Sequence, residues 1–292
     1  MIRYPMTDAE LRRQIGAGWL KRALRRTENF RKLGHYAEKA PIWSEVKPVY
    51  VALQHNKCGF CERKLADPER GIIEYDVEHF RPKSSVSAWP SDEVRASRGY
   101  DWPMGDASGD GYYLLPYHPW NYLAACKPCN TALKSNSFPV AGARAVQGED
   151  PWKMGGEKSF LVYPIGDLDD DPASILTFIG NLPVPVEKSG HAHRRARVII
   201  GFFELDTRED LLEDRAKWIS ALWMAVRLRE TGNADDRAFA EARIREYLAP
   251  FAPHSRCLNA FHDLVNTDPA EAAQVAGAMG AYLESKAQAR GG

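Results

Sequence analysis

Four of the five cysteines fall in two Cys-x-x-Cys pairs, Cys58-Gly-Phe-Cys61 and Cys126-Lys-Pro-Cys129, while Cys257 stands alone. Two such pairs, each beside a turn and brought together by folding, supply the tetrahedral thiolate set that structural zinc prefers. Four sulfurs close the coordination shell, so the ion would hold the fold and carry no reaction. Cys257, within SRCLNAF, reads as a small buried hydrophobe. Between the pairs, Asp76-Val-Glu78-His79 closes GIIEYDVEHF, a β-branched and aromatic run that predicts a strand. On an extended strand residues i and i+2 share a face, so Asp76 and Glu78 are expected to point one way and His79 the other.

The wording around these residues carries more. Glu78-His79-Phe-Arg81-Pro-Lys83 follows the strand; Asn121 stands five residues before Cys126, Asn130 directly follows Cys129, and Lys134 comes soon after. This pattern, over about Cys58 to Lys134, resembles the HNH (ββα-metal, His-Me finger) endonuclease motif. The phrases VEHFRPKS and CKPCNTALKSNSFP, with LDDDPASILTF and HRRARVIIGFFELDTREDLLEDR further on, are most similar to the nuclease subunit of Septu-type and retron-associated antiphage defence systems. The resemblance implies hydrolysis of phosphodiester bonds, with DNA favoured as the polymer and an ATPase partner in control. It makes His79 the general base, a role that a neutral imidazole near pKa 6.5 can fill. It gives Glu78 and Asn130 one Mg2+ or Mn2+, held by hard oxygen ligands. Asn121 takes the middle position, which braces the loop bearing the histidine.

Two departures are visible. Asn130 stands where the family name has His, and Glu78 where Asp is commoner, though both keep an oxygen donor. Asp76 is a rival ligand two residues before Glu78, which is preferred. Arg81, Lys83 and Lys134 cluster on the motif and are expected to meet phosphates. His118 reads as a packing residue before Pro119. His191 and His193, with Arg194, Arg195 and Arg197, form a basic run that serves equally as a solvated helix start or a nucleic-acid contact. The same site on RNA, for example a transfer-RNA loop, and a non-catalytic zinc-knuckle binding module are the alternative functions.

The elements that must position these residues follow from pattern and composition. At 292 residues, 44% hydrophobic and 27% charged, the chain has the make-up of a folded globular protein, not of a peptide or a disordered tail. No apolar run approaches a membrane span and the N-terminus lacks the apolar stretch of a signal peptide, which predicts a cytoplasmic address. The net charge of zero is unevenly spread: residues 1–50 hold 11 Lys and Arg against 5 Asp and Glu, residues 141–292 hold 18 against 23, so a polyanion would meet the N-terminal half. Periodicity predicts helices from Asp8 to Leu33, Ser44 to His55, Arg194 to Leu205, Arg208 to Glu230, Asp235 to Leu248 and Ala270 to Gln288. A helix opening at Pro119, kinked by Pro128, is also expected. Ser84 to Gly111 reads as an exposed loop, residues 139–190 as a link, and Asp169-Asp170-Asp171 as a solvated turn. The whole predicts an α+β, mostly helical fold: a basic helical region over 1–56, a ββα-metal core with zinc knuckles over 57–140, and a linker with C-terminal helices over 141–292.

Overall fold

The computed structural model describes residues 1–65 and 75–291. The fold is α+β and mostly helical, as expected. Helices α1 (Asp8–Ile15) and α2 (Ala17–Leu33) replace the single N-terminal helix. They are separated at Gly16, whose φ of 89° lies outside the range a side-chain-bearing residue adopts readily. A 3-10 turn, Trp43–Val46, leads into α3 (Lys47–Leu53), with Pro48 tolerated in its first turn. Strand β1 (Tyr75–His79) pairs antiparallel with β2 (Tyr122–Cys126), placing Glu78 opposite Leu123 and His79 opposite Tyr122. Residues 71–74 of the predicted strand lie outside the described residues.

The strand β2 corrects the expectation of a helix through Pro119. Tyr122 to Cys126 is buried on both faces, and a short continuous apolar run of this kind has no period that separates strand from helix. The chain then enters a π-helical segment, Pro128–Lys134. The segment Ser84 to Gly111 is exposed over much of its length, as expected, but it is more than a loop. It contains α4 (Asp92–Arg98), and Val86, Tyr100, Trp102 and Met104 are buried, Tyr100 within ring contact of Trp89 and Trp102.

Residues 139–190 are also more than a link. Phe160, Leu161, Val162, Tyr163 and Ile165 are core residues, and the segment adds α5 (Pro172–Ile175) and the hairpin β3 (Leu176–Ile179) with β4 (Leu182–Pro185). The three aspartates are structural: Asp169 and Asp170 pair with buried Arg195, and Asp171 caps α5. Helices α6 (Gly190–Phe202), α7 (Glu209–Thr231), α8 (Ala234–Leu248), α9 (Ser255–Thr267) and α10 (Pro269–Gly291) complete the chain. One apolar cluster draws on residues from Met1 to Leu211, and a second, from Ile219 to Ala276, lies between α7 and the helices after it. Among the described residues no helix is long and apolar enough to cross a membrane.

Candidate active site and metal centre

The cysteine pairs meet. Cys58 and Cys61 sit in the turn after α3, Cys126 ends β2, and Cys129 lies in the π-helical segment; all four are buried. The turn is tight: Glu62 adopts a φ of 60° and its N–H donates to the Cys58 carbonyl at 3.0 Å. Gly59 packs closely there: a Cβ would stand 2.6 Å from Leu123 Cδ1, so a larger residue would have to displace that side chain. The four sulfurs lie within 4.8 Å of one another, with Cys61 Sγ and Cys126 Sγ 3.8 Å apart. A tetrahedron with metal–sulfur bonds of about 2.3 Å has edges of about 3.8 Å, so the cluster can hold a metal ion such as zinc. Arg208 donates to Cys129 Sγ at 3.3 Å and supplies positive charge beside the thiolates, the outer-shell support such sites use. Cys257 is buried away from the cluster, its thiol pushed up to about 12 by burial.

His79 ends β1 with its ring in an aromatic cage, edge-on to Trp43 at 4.8 Å and to Tyr122 at 5.1 Å. Its Nε2 lies 3.1 Å from the Pro116 carbonyl. A carbonyl oxygen only accepts, so Nε2 carries the proton and Nδ1 keeps the lone pair. Burial, then the nearby Lys83 charge, holds the imidazole pKa well below 6.5. The ring is therefore neutral near pH 7, as a proton acceptor must be. Two adjoining depressions, of about 210 and 220 Å³, are both lined by Glu78, His79, Lys83 and Asn130. Strand alternation does not separate His79 from Glu78, because His79 is the last residue of the strand, where the chain turns.

Glu78 is buried, and burial raises its pKa while Lys134 pulls it down. Lys134 Nζ lies 2.6 Å from Glu78 Oε1. Asp76 is half-exposed, pairs loosely with Lys47 at 3.8 Å and lines only one of the depressions, which leaves Glu78 the better placed oxygen donor. Asn121 is wholly buried and ties the segment after the histidine to the one that carries Pro116. Its Nδ2 donates to the carbonyls of Arg81 (3.1 Å) and Leu115 (3.2 Å), and its Oδ1 accepts from Arg81 N–H at 2.8 Å.

The three cations expected at phosphate separate. Lys134 is fully buried and spent on Glu78 and on the His79 carbonyl, 3.0 Å from its Nζ. Arg81 is buried too, bonded to Glu157 at 2.9 Å and packed over Phe138. Both act inside the fold, because a buried cation needs an acid partner and each has one. Lys83 alone lines the depressions, its ammonium 5.0 Å above the Trp43 ring. His118 packs as expected, accepting the Trp120 N–H at 3.2 Å. His191 makes a tilted ring contact with Phe160, His193 bonds the Glu187 carbonyl at 2.8 Å, and Arg195 and Arg197 are turned to protein partners, so the basic run is largely spent on the fold.

Trp43, Glu157 and Gln54 shape the site without having stood out in the sequence. Each acts on residues far along the chain, and a single sequence carries no signal for such pairings. No protein-family model, curated protein or solved structure matches the chain.

Proposed function

We propose that the chain is a metal-dependent endonuclease of the HNH type that hydrolyses phosphodiester bonds, with DNA as its polymer and antiphage defence under an ATPase partner as its setting. The observation that supports this reading best is His79: a neutral imidazole with Nε2 anchored on a carbonyl, beside a depression that Glu78 and Asn130 also line. In this reading Nδ1 takes the proton of the attacking water, and the Pro116 carbonyl keeps the ring in the required tautomer. Asn121 ties the segment after His79 to the segment that carries Pro116 and touches no substrate. Glu78 and Asn130 would hold one Mg2+ or Mn2+, whose chemistry there is to polarise the phosphoryl oxygen and stabilise the leaving 3′-oxygen. The donor set fits a hard cation in that both side chains offer oxygen, and Lys83 on the same lining suits an anionic substrate. The cysteine cluster is read as a structural zinc site.

The test is cleavage of supercoiled DNA and of total RNA by wild type, His79→Ala and Glu78→Gln, with Mg2+, Mn2+ or EDTA. Wild type should cut DNA, EDTA should stop it, and His79→Ala should be slower by about 100-fold or more. Equal cutting by His79→Ala, or no cutting of either polymer by metal-loaded wild type with a coexpressed neighbouring ATPase, would rule the reading out.

A further inference from the structure

Helix α2 carries Lys21, Arg22, Arg25, Arg26, Arg31 and Lys32 against one acid, Glu28, in a chain whose formal net charge is zero. Beside it runs an open groove of about 700 Å³, to which Arg22, Arg25, Arg26 and Lys32 contribute, with Phe30 and Leu33 as its apolar part. Arg22 and Arg26 have acid partners in Glu45 and Glu38. Arg25 and Lys32 are exposed and have no ion-pair partner among the described residues. Glu38, the carboxylate that lines the groove, is held by Arg26 and the Tyr117 hydroxyl. The groove therefore presents unspent positive charge.

It also leads somewhere. From Phe30 a chain of rings runs to the candidate base: Phe30 to Tyr36 at 5.1 Å, Tyr36 to Trp43 at 6.4 Å, and Trp43 to His79 at 4.8 Å. Lys83 spans the last two steps, with its ammonium 5.8 Å from the Tyr36 ring and 5.0 Å from that of Trp43. We propose that this groove receives the phosphate backbone of the DNA flanking the cut, with Tyr36, Trp43 and Lys83 leading the strand to His79. The inference rests on the nuclease reading and names the surface that holds its substrate. Charge complementarity selects a polyanion, and the aromatic approach suits a chain that carries bases. From Arg22 to Lys32 the helix rises about 15 Å, room for up to about four phosphates at the roughly 3.4 Å axial spacing of one strand.

The experiment is fluorescence anisotropy of a labelled DNA duplex in EDTA, where cleavage is absent, across a salt series. The double variant Arg25→Glu/Lys32→Glu should bind at least about tenfold more weakly, with the slope of log K against log salt reduced by about 2. Arg245→Glu, a charge reversal at an exposed position of α8, should bind like wild type. Thermal midpoints matched to wild type establish that the variants are folded. A double variant that binds within twofold of wild type overturns the groove, as does an equal loss in Arg245→Glu. An RNA duplex that displaces DNA and depends on the same two residues overturns the choice of polymer. Wild type that cuts DNA while the double variant binds normally refutes the groove alone; wild type that neither binds DNA nor cuts it with the neighbouring ATPase coexpressed removes the nuclease reading with it.

Discussion

At the scale of single residues, the candidate chemistry rests on groups that the fold brings together from separate segments. The four cysteines converge, and Glu78, His79 and Asn130 line one depression. Arg81 and Lys134 are spent inside the fold on acids that no local spacing points to: Glu157 lies far downstream, and Glu78 reaches Lys134 only once β1 stands beside the π-helical segment. Buried polar side chains elsewhere set how the chain responds to acid. The His118 ring accepts the Trp120 N–H, and burial, followed by the charge of Arg12, lowers its pKa to about 4. The folded chain thus binds this proton more weakly than the unfolded chain, whose histidine titrates near 6.5. Stability from this residue is level above about pH 6.5 and falls as the pH drops to about 4, by at most roughly 3 kcal/mol. His118→Asn keeps an acceptor for Trp120 and loses the titration. Urea unfolding at pH 7 and pH 4.5 should show a smaller acid loss in the variant than in wild type; identical losses would disprove this account.

Elements respond to pairing that no local pattern encodes. The Tyr122-Leu-Ala-Ala-Cys126 run passes for a helix by composition, yet it is a strand because β1 pairs along one of its edges. Its other edge is covered by an amide side chain that imitates a neighbouring strand. Wholly buried Gln54, just past the end of α3, accepts the Ala124 N–H at 2.7 Å and donates to the Ala124 carbonyl at 2.8 Å and the Lys57 carbonyl at 3.1 Å. Gly59 N–H adds a bond to the same Ala124 carbonyl at 3.0 Å. In Gln54→Leu the Ala124 carbonyl keeps Gly59 but the Ala124 N–H is left buried without a partner, which costs about 1–3 kcal/mol. Denaturant unfolding should give that loss with an unchanged m-value. A neutral substitution would mean that β2 does not need its second edge. The expectation of a helix here and the single helix drawn across Gly16 fail for different reasons: strand pairing is decided across the chain, while the break at Gly16 is a local positive φ that apolar spacing does not report.

For the whole molecule, composition hid how tightly the parts are joined. Residues 139–190 are dense in Gly, Pro and Asp, which reads as a link, yet Phe160 to Tyr163 are core. The cysteine cluster stands where the parts meet. Its ligands come from the turn after α3, from β2 and from the π-helical segment, and Arg208, just before α7, reaches Cys129. Beside Cys58, buried Lys57 donates to Ser255 Oγ at 2.9 Å and to the Ala252 carbonyl at 3.0 Å, which ties the same turn to the start of α9. A metal at the cluster would thus clamp the first core to the C-terminal helices. Without it, four thiols packed this closely have no ion to satisfy them, and the turn, the strand end and the π-helical segment lose their common anchor. Elemental analysis should find about one zinc per chain, lost in Cys126→Ser and retained in Cys257→Ser, since Cys257 lies outside the cluster. Removing the metal with a chelator should lower the thermal midpoint by about 10 °C or more, as the loss of several kcal/mol does in a chain of this size. A metal-free chain with an unchanged midpoint would reduce the four cysteines to core packing, and the clamp would then rest on the Lys57 and Arg208 contacts alone.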